Sequence, residues 1–269
     1  MDIQYIEELR HPMGNGATNP IFGIGDNRQY VIKTNNNIQG NKVLINELVC
    51  YLLAQRLELP IPTAKLCKID NNTKIDSNIY NIIEDFSSNC YGIGFCSEYI
   101  NNVTLISSHK MLKLASNQEY LIPKLMLFDH IIYNNDRNKG NLLLRMGKTG
   151  NRELMMIDHS HTFNLGSIWD SCQLKQKIQS EDYKDEYIMC DNSYLYSMFK
   201  KSMDINMIVM NNAANFFKSK LCNNLDFLIE KIPNSWENDI NELKSLLDYI
   251  NYRINHIDYF ANVIASYKY

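Results

Sequence analysis

What the chain lacks narrows its chemistry first. Its seven cysteines, at positions 50, 67, 90, 96, 172, 190 and 222, include no CxxC pair. The odd number and the scatter argue against a disulfide framework or a structural zinc and read as reduced thiols. No stretch reaches the roughly 18 uninterrupted apolar residues that a spanning helix needs. The opening MDIQYIEELR is acidic and has no apolar h-region. A cytoplasmic protein without membrane insertion is the expectation. No basic run is present, and 27 Lys and Arg stand against 30 Asp and Glu, with a pI near 6.1. Direct nucleic-acid binding is therefore not expected, since it would call for a basic face.

What is present supports an ordered, globular chain. With 45% hydrophobic residues over 269 positions, it can bury one large core or two modest ones. The texture changes near residue 100. Up to Tyr99 the sequence reads as strands around one helix, with turn clusters at GNGATNP, TNNNIQGN and DNNTKIDSN. Beyond it, helical patterning dominates. RQYVIK (28–33) alternates, so Val31 and Lys33 share one face while Tyr30 and Ile32 share the other. The segment 41–59 is expected to be a helix, stopped by Pro60 and Pro62. On it, Glu47 has Val43, Cys50, Tyr51 and Ala54 as near neighbours. An ionised carboxylate in such company needs a partner, because an unpaired buried charge is costly. Lys33 is the nearest upstream candidate. Separately the two read as a snorkelling strand-end lysine and a boundary glutamate; together they are candidates for a pair.

Two polar segments interrupt the apolar pattern. NNDRNKGNLLL (134–144) follows the helical YLIPKLMLFDHIIY (120–133) and leads into a buried strand from Leu142. Asn, Asp and Gly form turns for backbone reasons, yet a short loop fixed at both ends by buried elements also suits chemistry. RELMMIDHSHTF (152–163) reads as an apolar strand ending in Asp158, a natural magnesium ligand. Asp136 and Asn141 are spaced so that an aspartate can orient a hydroxyl while an asparagine reaches a metal. The glycines at 14, 16, 23 and 25 match neither GxGxxG nor GxxxxGK[ST]. They fit a phosphate-approaching loop and a pair of hairpin turns equally well. His159 and His161 lack a second ligand cluster and read as hydrogen-bonded loop histidines. QSEDYKDEY (179–187) reads as a solvated loop, and Trp169 and Trp236 as core or interface residues.

Taken in order, VIK, the Glu47 helix NELVCYLLAQRLELPIP, NNDRNKGNLLL and MMIDHSHTF resemble the HipA-like branch of the protein-kinase-like fold, over nearly the whole chain. The resemblance implies an α+β, two-lobed fold. A small β-rich N-lobe with one main helix (1–100) would bind nucleotide, and a larger, mostly helical C-lobe (101–269) would carry the catalytic loop and the metal-binding strand. It implies ATP and Mg2+ as cofactors. Lys33 would hold the α- and β-phosphates and Glu47 would position it. Gly14 and Gly16 would lie in the phosphate loop, and Glu98 and Tyr99, within SEYI, would meet adenine through their backbone. Asp136 would be the catalytic aspartate, with Arg137 beside it as a catalytic or bracing residue. Asn141 and Asp158 would hold magnesium. FLIEKIPNSWENDINELKSLLDYINYRI resembles the helical end of such a C-lobe.

The chain departs from eukaryotic protein kinases in having no HRD, DFG or APE, so activation-segment control does not carry over. D-R-N-x-x-N followed by I-D-H is also similar to the phosphatidylinositol kinases, which leaves the acceptor open. A protein serine or threonine is favoured. A small molecule or a lipid is the alternative enzyme substrate, the lipid disfavoured by the lack of a basic cluster for anionic headgroups. A pseudokinase, a nucleotide-dependent binding module, is the reading from a different class.

Overall fold

The computed structural model describes residues 2–14, 17–35, 37–83, 86–147, 150–222, 224–236 and 239–268. The N-terminal region runs β1 (Ile3–Tyr5), β2 (Glu8–Pro12), β3 (Ile21–Gly25), β4 (Arg28–Lys33), α1 (Lys42–Arg56), β5 (Ala64–Ile69), β6 (Lys74–Ile75), α2 (Ser77–Ile82) and β7 (Gly92–Glu98). These strands form one sheet in the order β1-β5-β7-β4-β3-β2-β6, antiparallel at its centre, with parallel β1/β5 and β2/β6 pairs near its edges. Then come β8 (Val103–Leu105), α3 (His109–Leu112), α4 (Gln118–Ile131), β9 (Leu142–Met146) and β10 (Arg152–Met156). The remainder is α5 (Ser171–Gln179), α6 (Tyr187–Asp191), α7 (Ser193–Ser202), α8 (Met207–Leu221), α9 (Phe227–Glu230), α10 (Ile240–Asn255) and α11 (Ile257–Ser266). The short sheet β10-β9-β8 is the β element of this half. The mixed α+β architecture expected from the sequence is what is found: a β-rich region around one main helix, then a largely helical half.

The period-2 pattern of β4 sorts its side chains as expected. Tyr30 and Ile32 join the cluster formed with Leu9, Cys67 and Cys96 on one face of the sheet. Lys33 points to the other face, where Leu66 and Phe95 pack against α1 in the larger core. The first helix is three residues shorter than expected at its C-terminal end. Glu58 adopts a left-handed φ of 55°, and the Leu59 amide returns to the Ala54 carbonyl at 2.9 Å, which closes the helix before either proline is reached.

Helix α1 is buried on every side from Val43 to Ala54. A helix of that kind has no solvent face to offer, and here the sheet covers one side while α4, α8, α10 and the β9–β10 region belong to the same continuous core. Asn46 lies within it, fully buried. Its Nδ2 donates to the carbonyls of Ser160 (2.7 Å) and Gly166 (2.8 Å), and its Oδ1 accepts from Trp169 Nε1 at 2.9 Å. One asparagine thereby satisfies three polar groups of the 160–169 segment.

The 179–187 stretch is largely exposed, as expected of a solvated loop, except at Asp182. Asp182 is buried and accepts from Tyr249 (2.5 Å), Asn164 (2.8 Å) and Arg253 (3.2 Å). The reason is Arg253, itself buried on α10, whose charge requires a carboxylate. Trp169 and Trp236 are both core residues, and Trp236 Nε1 donates to the Ile93 carbonyl at 2.7 Å. Among the described residues, no helix is long and apolar enough to cross a membrane.

Replacing Asn46 by Ala strands three buried groups at once. At 1–3 kcal/mol each, with partial relaxation, the expected loss is on the order of 3 kcal/mol, read from urea unfolding. A loss under about 0.5 kcal/mol would show that water or local movement substitutes for the clasp.

Candidate functional site

Lys33 ends β4 on the face that looks toward α1, and its ammonium is shared. Nζ is hydrogen-bonded to Glu47 Oε1, lies 2.9 Å from Asp158 Oδ1, and donates to the Ser160 hydroxyl at 2.5 Å. Ser160 in turn donates to Asp158 Oδ1 at 2.6 Å and stands 3.1 Å from Glu47 Oε1. The His159 amide donates to the same Glu47 oxygen at 3.2 Å. The Lys33 and Glu47 side chains are only 9% and 7% exposed, whereas Asp158 is 31% exposed.

Burial works against the charge on Lys33, but Glu47 and Asp158 outweigh it and hold the ammonium above its ordinary pKa. Burial pushes the Glu47 carboxyl upward, offset in part by Lys33. Burial opposes ionisation of Asp158 as well, yet Lys33 and the Ser160 hydroxyl prevail and hold it well below the carboxylate range. Of the two carboxylates that share the lysine, Asp158 is held below the ordinary range by its partners and Glu47 is pushed above it by burial.

Asp158 lies two residues beyond the end of β10, in a left-handed turn with φ of 57°. Asp tolerates this region better than most residues, and the turn explains why the strand stops short of it. The Ile157 amide still donates to the Asn141 carbonyl at 3.1 Å, extending the β9–β10 ladder by one step. Asn141 is thereby placed opposite the residue that precedes Asp158. Asn141 Nδ2 is tied to the Asp136 carbonyl at 2.8 Å, which leaves its Oδ1 without a hydrogen bond among the described residues. Asp158 Oδ2 is likewise without one. Two hard oxygen donors from adjacent segments fit magnesium, which takes one or two protein ligands and completes its shell with water and phosphate. Among the described residues there is no group of three or more His, Cys, Asp and Glu that could hold a metal.

The 134–141 loop is folded by its own asparagines. Asn134 Oδ1 accepts from the Asp136 amide at 3.0 Å, and Asn138 Oδ1 from the Gly140 amide at 2.8 Å. The Asp136 side chain is exposed and accepts from Asn138 Nδ2 at 3.1 Å. Arg137 turns the opposite way. Its side chain has no exposure, and its N–H groups go to Asp129, the Asn141 and Ile157 carbonyls, and His159 Nε2. Because guanidinium only donates, Nε2 must accept, so His159 is a neutral imidazole protonated at Nδ1. Burial, with Arg137 beside it, holds its pKa well below the ordinary value. Tyr196 (3.0 Å) and Asn134 (3.1 Å) complete the shell of Asp129.

Gly14 opens the turn between β2 and β3 with φ of +73° and free space around its missing Cβ. Gly16 lies outside the described residues. Gly23 and Gly25 sit in β3, where a Cβ would meet the Glu8 carbonyl at 2.8 Å and the Tyr5 carbonyl at 2.3 Å; close strand approach accounts for them. At the end of β7, the Glu98 amide donates to Thr63 (2.8 Å) and the Tyr99 amide to Gln29 (2.9 Å). The structure therefore gathers Lys33, Glu47 and Asp158 directly, with Asn141 and Asp136 on the neighbouring loop. Ser160, Asp129 and Asn46 belong to the same constellation and were not singled out by sequence. Asp129 carried a signal, as the one carboxylate in an apolar helical run. Ser160 and Asn46 carried none.

This fold and this buried lysine between two carboxylates define a protein of the kinase-like class. The model of the HipA-like kinase family matches residues 6–261, and the chain belongs to that family. Among solved structures it is similar to the proinflammatory kinase CtkA of Helicobacter pylori, at 13% identity and a TM-score of 0.57, covering 98% of both chains. It is also similar to Fam20 of hydra, solved with sugar, at 11% identity and a TM-score of 0.60, covering 97% of this chain and 86% of that one. At such identities the likeness is one of fold. No curated protein matches the chain.

Arg137→Met would leave Asp129 ionised, buried and without its cation, so the expected destabilisation is about 3–5 kcal/mol, measured by urea unfolding. Combining it with Asp129→Asn should recover part of that loss. A double variant no more stable than Arg137→Met alone would show that the arginine's carbonyl contacts, not the ion pair, hold the loop.

Proposed function

We propose that the protein transfers the terminal phosphoryl group of ATP to a hydroxyl, with a protein serine or threonine as acceptor. The observation that carries this reading is the Lys33 ammonium held between Glu47 and the partly exposed Asp158. A buried lysine so placed is fixed in position and can exchange one carboxylate for phosphate oxygens. Residues 1–100 would then hold the nucleotide and residues 101–269 the acceptor.

In this mechanism Glu47 keeps Lys33 in place while its ammonium grips the α- and β-phosphates. Asp158 Oδ2 and Asn141 Oδ1 would hold magnesium, which when bound neutralises charge on the phosphates. Gly14 lets backbone amides approach the phosphates at the β2–β3 turn. The purine would lie along Glu98 and Tyr99. Their two amides are committed to Thr63 and Gln29, so its hydrogen-bond donor would come from the residues that follow. Asp136, exposed and free to meet a substrate, would orient the acceptor hydroxyl and take its proton as the phosphoryl group passes in line. Arg137 acts through the loop as a positioning residue, since its N–H groups are already engaged.

A ligand at 100 times its dissociation constant stabilises the folded state by about 2.7 kcal/mol, so Mg-ATP should raise the melting temperature. No shift at millimolar ATP, with or without magnesium, would overturn the kinase reading. Labelled ATP supplied with a cell lysate should put label into protein; label in lipid or in a small metabolite would replace the acceptor class.

The two aspartates separate under substitution. Asp136→Asn should bind Mg-ATP normally while transfer falls roughly a hundredfold, about 2.7 kcal/mol of barrier. Asp158→Asn should also lose the magnesium-dependent part of nucleotide affinity. Wild-type transfer by Asp136→Asn would reduce the loop to a turn.

A further inference from the structure

Ser160 has one hydroxyl proton and two carboxylates within reach of it. Its Oγ stands 2.6 Å from Asp158 Oδ1 and 3.1 Å from Glu47 Oε1, and the Lys33 ammonium donates to it at 2.5 Å. Since an ammonium offers no acceptor, the hydroxyl hydrogen must go to a carboxylate. Distance assigns it to Asp158. Glu47 Oε1 is already supplied by Lys33 and by the His159 amide. Asp158 Oδ1 has, besides Lys33 and the hydroxyl, only the Ser160 amide at 3.4 Å, beyond the usual N–H···O range. Ser160 itself is fixed in place: it is 1% exposed, and its carbonyl accepts from Asn46 Nδ2 at 2.7 Å.

The three protons of Lys33 are all engaged, by Glu47, Asp158 and Ser160. To grip phosphate oxygens the lysine must release a partner, and Asp158, which reaches solvent where Glu47 does not, is the one a ligand can replace. That exchange would strip Asp158 Oδ1 of its cation just when Oδ2, which has no hydrogen bond among the described residues, is needed by a metal. The last torsion of an aspartate is soft and roughly two-fold, so a weakly held carboxylate swings between its two oxygens. The Ser160 hydroxyl is the contact that survives the exchange. It is uncharged and does not repel magnesium as an ammonium does, and Lys33, still donating to Oγ, polarises it as a donor. Hydrogen-bond partners behind a ligating side chain set its orientation, and losing one typically costs about 10–100-fold in metal affinity.

We propose that Ser160 is a positioning residue for the metal: its hydroxyl holds Asp158 Oδ1 so that Oδ2 stays turned outward while Lys33 passes from the carboxylate to phosphate. The inference rests on the phosphotransfer reading, in which Asp158 holds magnesium. Ser160 touches neither nucleotide nor acceptor in this scheme. Its loss therefore falls on the magnesium-dependent part of nucleotide affinity, whereas a merely structural serine would weaken binding equally with and without the metal, or not at all.

The test is calorimetric titration of the intact chain with ATP, in EDTA and at a series of magnesium concentrations. Ser160→Ala should need at least about tenfold more magnesium to reach half of its gain in ATP affinity, while its affinity in EDTA stays within about twofold of wild type. Ser160→Thr, which keeps the hydroxyl, should lie within about threefold of wild type in its magnesium requirement. Ser160→Cys, a much weaker donor, should behave as Ser160→Ala does and supplies the same comparison if the alanine variant fails to fold. An unchanged magnesium requirement on loss of the hydroxyl, an equal loss of affinity in EDTA, or a threonine variant no better than alanine would overturn the proposal and leave the phosphotransfer reading standing. No magnesium-dependent ATP binding by the wild-type chain would overturn both.

Discussion

One buried ammonium joins three segments far apart in sequence. Lys33 closes β4, Glu47 sits within α1, and Asp158 and Ser160 lie in the turn after β10; they meet at a single nitrogen. A charge removed from water at that depth costs several kcal/mol unless it is paired, so sheet, helix and turn must arrive together for any of them to be stable. Asn46, one residue before Glu47, ties the same turn to the same helix through uncharged bonds. The helix has no exposed face along which to shift. Ion pair and clasp therefore make α1 and the Asp158 turn one mechanical unit.

Much of this was legible because the physics is local. The alternation of RQYVIK places Lys33 on the face opposite Tyr30, and an ionisable residue inside an apolar helical run demands a partner, which identifies Glu47. The same argument, applied to YLIPKLMLFDHIIY, would have found Asp129 and so the role of Arg137. Ser160 and Asn46 were not legible. Serine and asparagine are ordinary in loops and helices, and their partners lie more than a hundred residues away along the chain, a distance no periodicity spans. The ends of elements were also hidden where left-handed residues, Glu58 and Asp158, decided them.

The polar loop 134–144 has the turn character that its Asn and Gly content suggests. Asn134 and Asn138 do fold the backbone, through side-chain acceptors to amides two residues on. Doing so, they turn Asp136 outward and Arg137 inward. The turn residues are the reason that a carboxylate stands exposed at that place. Composition shows the asparagines, but only the bond pattern shows that two adjacent charges are sent in opposite directions.

The two buried cations of this region differ in how completely they are held. Arg137 spends its fork on a carboxylate, two carbonyls and an imidazole, with no exposure, so nothing can be exchanged without breaking the loop. Lys33 has one deeply buried carboxylate, Glu47, and one that reaches solvent, Asp158. An ammonium carries three donors and no fixed fork, so replacing one acceptor by another leaves the rest of its contacts intact. That asymmetry separates the cation locked into its loop from the cation whose contacts can be exchanged. It also follows from residue type, since a lysine in place of Arg137 could not satisfy four partners, and an arginine in place of Lys33 would not fit the compact meeting point of Glu47, Asp158 and Ser160.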